Sequence, residues 1–191
     1  MIVRHARTVE NAAHLCQGQT DGTLAPQGVR QAILLGKRLR AEGTLPDAFY
    51  CSDLGRAVHT YTLIAEHAAF PPPVLDKRLR ERYFGSMEGH PFPQEMDYDH
   101  LPPEVEPVEA IYARIAAFIS ELCTRHDGQT VLLLSHGFTI RVLVGWLKGL
   151  PVQRVWEIPN VENTSLCLFR GLDRAWEELR FNDFTHLQGL Q

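Results

Sequence analysis

Two periods of apolar residue run through this chain, and each change of period marks a change of element. Val108, Ile111, Ile115, Phe118, Ile119 and Leu122 recur at three- and four-residue intervals, which predicts an amphipathic helix from Val108. Thr130–Leu134 reads instead as a short, fully buried strand, ending at Ser135-His136-Gly137 with a helix beyond. Ile2–Arg4 and Ala48–Cys51 read as strands of the same kind. Pro26 suits a first helical position, so a helix should run from there to about Glu42, before Gly43. Ala25 stands where a capping Ser or Thr is expected, at a cost of ~1 kcal/mol. Another helix is expected over Arg56–Ala68, then a break at Pro71–Pro73 and a short strand at Val74–Leu75. Glycine and polar residues between the first strand and Thr23 predict a loop. Residues 86–107 hold five prolines and no period, which predicts a long, lid-like functional loop. Ser165–Arg170 and Trp176–Phe181 read as two strands joined by a tight turn around Gly171-Leu172-Asp173.

Strands alternating with helices predict an α/β fold, a three-layer α/β/α sandwich with a mostly parallel central sheet. A length of 191 residues suits one domain over 1–191, without repeats or low-complexity linkers. Nineteen Lys and Arg against 23 Asp and Glu leave a net charge of −4, which argues against nucleic acid or an anionic membrane as partner. No apolar run approaches the ~18 residues of a membrane span, and Arg4 and Arg7 interrupt the stretch a signal peptide would need. Cys16, Cys51, Cys123 and Cys167 are scattered, with no CxxC pair, so neither a zinc site nor a disulfide framework is expected. These features together predict a reduced, cytoplasmic protein.

Ligands of open α/β sheets bind at the carboxyl ends of strands. Arg4-His5, Ser52–Arg56 and His136-Gly137 all fall there. Taken singly, each has a bland reading as a structural or surface feature. Taken together they suit phosphoryl transfer, which needs a nucleophile, cationic donors for the phosphoryl oxygens and an acid for the leaving oxygen. His5 could attack through an unprotonated ring nitrogen, and Arg4 and Arg56 could clamp oxygens with bidentate bonds. Arg56 heads a helix, where a cation is awkward unless an anion binds beside it. His136 could turn its ring and nearby amides into the same pocket, while Asn11 and Gln17 supply neutral donors. Glu81 is the best-placed carboxylate for proton donation.

VRHARTVEN at 3–11, CSDLGRAVHT at 51–60, LRERYFGSMEG at 79–89 and LLLSHGFTIRVL at 132–143 together resemble the histidine phosphatase superfamily, in its phosphoglycerate-mutase-like branch, with NTSL at 163–166 as a weaker echo. The resemblance implies that His5 is the phosphorylated nucleophile and Glu81 the proton donor. It implies a phosphate pocket of Arg4, Arg56 and His136, assisted by Asn11, Gln17, Gly18 and Gly137. It implies no metal and no cofactor. The chain departs from the usual RHG and FGxWEG patterns at Ala6, Arg7 and Met87; Ala6 matters if the backbone there needs a positive φ. Mutases of the family carry a long insertion between the acid and the second His, whereas only residues 82–135 intervene here. Hydrolysis of a small phosphorylated metabolite is therefore expected, α-ribazole 5′-phosphate being one candidate, with mutase activity as the alternative. A non-catalytic phospho-ligand or protein-binding module is the alternative of another class. The Cys51–Arg56 segment has four intervening residues, one short of a cysteine phosphatase loop. No Lys or Arg lies between Arg82 and Arg114, while Glu88, Glu95, Asp97, Asp99, Glu104, Glu106 and Glu109 do. That acidic stretch predicts a preference for monophosphates with a neutral or cationic body; a homodimer is the assembly left open.

Overall fold

The computed structural model describes residues 1–67, 69–92, 101–172 and 175–190. Their six strands are β1 (Ile2–Arg4), β2 (Ala48–Cys51), β3 (Pro73–Leu75), β4 (Val131–Ser135), β5 (Leu166–Leu172) and β6 (Ala175–Asp183). They form one sheet in the order β3-β2-β4-β1-β5-β6. The pairs β2–β3, β2–β4 and β1–β4 are parallel, while β1–β5 and β5–β6 are antiparallel. The helices are α1 (Val9–Ala12), α2 (Pro26–Ala41), α3 (Gly55–Ala65), α4 (Val108–Arg125) and α5 (Gly137–Leu147).

Strand periodicity of two sorts the core into layers. Val3, Phe49, Cys51, Leu132 and Leu134 pack on one face with Ala32, Leu35 and Leu39 of α2 and Ala57 and Ile64 of α3. Their neighbours Ile2, Tyr50 and Leu133 turn to the other face, against Ile111, Ile115 and Phe118 of α4 and Ile140 and Leu143 of α5. The sheet is thus covered on both sides, which is why β4 is apolar throughout its middle. The expected α/β/α sandwich is present.

Several expected boundaries shift. The first loop contains α1, whose four residues are too few to show a period. Thr8 caps it: its side chain accepts from the Asn11 amide while Asn11 accepts from the Thr8 amide. α2 ends at Ala41, α3 starts at Gly55 and ends at Ala65, and Ala68 lies outside the described residues. β4 begins at Val131 rather than Thr130 and takes in Ser135. Thr130 instead closes the entrance, donating to the Asp47 carboxylate and accepting from the Asp47 amide. β3 starts one residue early, at Pro73; β5 starts at Leu166 and β6 reaches Asp183, and Asp173 of the expected turn lies outside the described residues.

Of the expected lid, residues 93–100 lie outside the described residues, and the rest is tied down. Cys16 and Phe92 donate backbone bonds to His90 and His14, at 2.8 Å each, and Val105 packs with Cys16 and Phe84. No helix of the described residues is long and apolar enough to cross a membrane.

Candidate active site

Register brings three strand ends level. Arg4 pairs with Ser135 and Cys51 with Leu134, so His5, Ser52 and His136 leave the sheet together at its carboxyl edge. The His5 amide still donates to the Ser135 carbonyl at 2.9 Å, and the Ser52 amide to the Leu134 carbonyl at 2.9 Å. The His5 and His136 rings then lie 5.0 Å apart, both buried.

His5 Nδ1 lies 2.8 Å from the Ala6 carbonyl, which can only accept, so the proton sits on Nδ1 and Nε2 carries a lone pair. Burial, then the Arg56 and Arg4 charges, push its pKa well below the ordinary histidine value, which keeps the ring neutral. His136 is depressed in the same way by burial and by Arg56, His5, Arg4 and Arg114. Its Nε2 is 2.7 Å from the Ser52 hydroxyl. Ala6 is not among the residues with positive φ, so alanine fits there; its amide donates to Thr60 Oγ1 at 3.0 Å.

Arg56 is buried and Arg4 half-buried, and this desolvation lowers the pKa of both against the pull of Glu81. Arg4 spends one nitrogen on the Val161 carbonyl at 2.6 Å. Arg56 donates to the carbonyls of Thr20 and Gly18, each at 2.7 Å, and so gathers the first loop around itself. Gly18 takes φ +52, and a Cβ there would meet the Glu88 carboxylate at 1.9 Å. What remains is instructive: Arg4 Nε, Arg56 Nε and His136 Nδ1 are buried without a partner among the described residues. Buried polar atoms are normally satisfied, and donors left open around one neutral imidazole suit an incoming anion.

Glu81 sits across the start of α5. Its oxygens accept from the amides of Phe138 and Thr139 at 3.1 Å each and from the Arg82 amide at 2.9 Å. The amides at the head of α5 thus hold the carboxylate rather than facing the cleft as expected. Ser135 Oγ and Thr139 Oγ1 donate to the Leu79 and Arg80 carbonyls, stitching the Glu81 segment to β4 and α5.

A cleft of about 530 Å³ opens above these groups. Arg4, His5, Asn11, Gln17, Gly18, Arg56 and Glu81 all line it. His136 lies behind, and Gly137 does not reach the lining but has Arg4 across it. Asn11 and Gln17 are partly committed: Asn11 Oδ1 caps Thr8, and Gln17 Oε1 accepts from Thr8 Oγ1 at 3.0 Å, leaving the Gln17 NH₂ as its donor end. Two residues go beyond the sequence expectation. Ser52 fixes the His136 ring, and Asn163, in the NTSL segment, donates to the His5 carbonyl at 2.8 Å while lining the cleft. The signal for Asn163 is that segment; Ser52 opens the strand-end segment Ser52–Arg56, but the sequence does not show that it meets His136.

The acidic lid is corrected for the described part of it. Glu88 accepts from the amides of Gln19, Thr20 and Phe84, Glu104 from Ser86, and Glu106 pairs with Arg114 at 2.9 Å. None of these, nor Glu109, lines the cleft, and Glu95, Asp97 and Asp99 lie outside the described residues. Short acidic side chains there satisfy loop backbone, which a charge count along the sequence does not reveal. Met87 packs on Cys16, Phe84 and Val105 instead of forming a cleft wall. Among the described residues, the charges that do line the cleft are Arg4, Arg7, Arg56, Glu81 and Glu162.

Known proteins share this arrangement of fold and sequence. The chain is 34% identical over 188 residues to "Probable phosphoglycerate mutase GpmB" of Yersinia pestis, covering 92% of this chain and 86% of that protein. Bacillus stearothermophilus YhfR superposes with a TM-score of 0.86 at 27% identity, covering 97% of both chains. A mycobacterial glucosyl-3-phosphoglycerate phosphatase superposes at 0.83 with 25% identity, over 95% of this chain and 97% of that one. The profile of the histidine phosphatase superfamily (branch 1) matches residues 1–184, and the chain belongs to that family.

Proposed function

We propose that this chain is a phosphomonoester hydrolase that works through a phosphohistidine on His5, with the phosphate held by side chains rather than a metal. The observation that carries this reading is the neutral, Nδ1-protonated His5 beside the unpartnered buried atoms Arg4 Nε, Arg56 Nε and His136 Nδ1. The arginines bind the phosphoryl oxygens, and in the tautomer in which Ser52 donates to His136 Nε2 the proton on Nδ1 supplies a third donor. His5 Nε2 attacks phosphorus as the ester P–O bond breaks, and Glu81 gives its proton to the departing oxygen. Water then attacks the phosphohistidine, giving its proton back to Glu81; the P–N bond breaks and phosphate leaves.

The substrate reading rests on Glu162, since Glu88, Glu104, Glu106 and Glu109 do not line the cleft. Its carboxylate lines the cleft close enough to support the Arg4 charge. Among the described residues it has no ion-pair partner. A second carboxylate or phosphate brought within ~4 Å of Glu162, away from Arg7 on the same cleft, would meet a repulsion of roughly 1–4 kcal/mol. A monophosphate with a neutral or cationic body avoids it, and α-ribazole 5′-phosphate is one such compound. Mixing enzyme with labelled substrate and quenching in alkali should trap an acid-labile phosphohistidine, absent in His5→Ala. Turnover retained by that variant would defeat the mechanism. Isomerisation of 3-phosphoglycerate instead of phosphate release would assign the chain to mutase chemistry.

A further inference from the structure

Thr164 is buried and takes φ +60, a left-handed conformation that β-branched residues rarely adopt. It sits one residue after Asn163, and its amide donates to the Arg4 carbonyl at 3.0 Å. Asn163 Nδ2 donates to the His5 carbonyl. The two residues before and at the candidate nucleophile are therefore gripped by one strained turn. Such strain persists only where the surroundings fix it.

What fixes it comes from the far end of the chain. His186, in the short 3₁₀ turn Thr185–Leu187 after β6, lies with Nε2 3.1 Å from Thr164 Oγ1. Its Nδ1 faces Arg38 Nη1 of α2 at 3.4 Å, and arginine can only donate. Nδ1 is thus the acceptor, Nε2 carries the proton, and that proton points at Thr164. Thr164 Oγ1 in turn donates to the Asn163 carbonyl at 2.7 Å. Arg38 is itself anchored by Asp183 at 2.5 Å and Glu42 at 2.8 Å. Every donor in the series runs one way, from α2 through His186 to the turn that holds Arg4 and His5. Burial and the Arg38 charge keep His186 neutral, against the opposing pull of Asp183 and Glu42.

We propose that His186 is a positioning residue: it locks Thr164 in the left-handed turn that presents Asn163 to the His5 main chain. This inference rests on the reading of His5 as the nucleophile, yet it can be tested apart from that reading. The ring nitrogens of His5, followed by ¹⁵N NMR in the intact protein, report its placement without any turnover. In His186→Ala the His5 signals should move. His186→Gln, which offers an N–H to Thr164 and an oxygen to Arg38, should restore them. Turnover of p-nitrophenyl phosphate should fall roughly 10–100-fold in His186→Ala, the range expected when a reacting group is misplaced by a distant change. Glycine tolerates φ +60, so in a Thr164→Gly background the further loss on His186→Ala should shrink severalfold. Unmoved His5 signals in a folded His186→Ala protein would overturn the proposal, as would an undiminished loss in the glycine background. Moved signals in an enzyme without phosphatase turnover would instead uphold the positioning and fault the functional reading.

Discussion

Arg56 carries two duties that pull on the same guanidinium. Its terminal nitrogens hold the Gly18 and Thr20 carbonyls, and its Nε is left for an anion. Charge-assisted bonds contribute about 1.5–3 kcal/mol each, so losing the one from Nε toward phosphate should cost about 10–10² in kcat/KM, at ~1.4 kcal/mol per decade. Arg56→Lys should be nearly as poor as Arg56→Ala, because an ammonium cannot reach two loop carbonyls and an anion together. Steady-state kinetics of both variants check this; full activity in the lysine variant would remove Arg56 from the phosphate site. Glu81 is testable through its leaving group. Glu81→Gln should be severely impaired on alkyl phosphates and milder on p-nitrophenyl phosphate, whose phenolate departs without a proton. Equal impairment on both would reduce Glu81 to anchoring the head of α5. At this scale the sequence was informative because phosphate chemistry uses few residue types: Arg4, His5, Arg56, Glu81 and His136 could be picked from their motifs, and the fold brings them together. Ser52 and Asn163 were harder, because serine and asparagine at strand ends and turns have many ordinary reasons to be there.

Elements place these side chains, and α1 is the least obvious of them. Thr8 Oγ1 accepts from the Asn11 amide and donates to Gln17 Oε1, so one hydroxyl orients both neutral residues on the cleft wall. Thr8→Ala should destabilise by about 1 kcal/mol as a lost cap, lowering Tm by about 2–4 °C in a domain of this size. It should raise KM more than it lowers kcat, and Thr8→Ser should recover both. A kcat defect with KM unchanged would mean that Asn11 and Gln17 do not bind substrate. The long helices α2, α4 and α5 and strands β1, β2 and β4 were legible because their apolar periods are long or unbroken. A four-residue helix offers no period, and its capping box uses Asn11 where Glu or Gln is usual. Strand order was not legible at all. It depends on pairings such as Ile2 with Leu133, which join residues far apart in sequence and leave no local trace. The described part of the lid was misjudged for a related reason, since Glu88 and Glu106 spend their charge on partners that only the fold supplies.

Over the whole molecule, the same burial that keeps histidines neutral ties folding to pH. His5 and His136 titrate well below 6.5 in the folded chain, chiefly through burial and then through Arg56 and, with smaller effect, Arg4. His186 is lowered to about 4 by burial and Arg38. The unfolded chain takes up protons on all three as pH falls past about 6.5, while the folded chain does not. Low pH therefore favours the unfolded state, and the stability these groups permit is complete above that pH. It is lost as pH falls toward 4 for His186, and the loss continues lower for the two site histidines. Each unmatched proton contributes ~1.4 kcal/mol per pH unit, so three give a limiting slope on the order of 4 kcal/mol per unit. Against a total stability of about 5–15 kcal/mol, unfolding should set in within a few units below neutrality. Thermal melts between pH 8 and 4 should show Tm nearly level at the upper end and falling steeply below about 6.5. His186→Gln, with nothing to titrate, should reduce that slope by about a third. A phosphate-mimicking anion that occupies the arginines should raise Tm by mass action, and in Arg4→Ala or Arg56→Ala that rise should disappear. A Tm that stays level from pH 7 to 5, or rises, would show that the folded chain protonates these rings and that the neutral His5 on which nucleophilic attack depends is not what the protein holds.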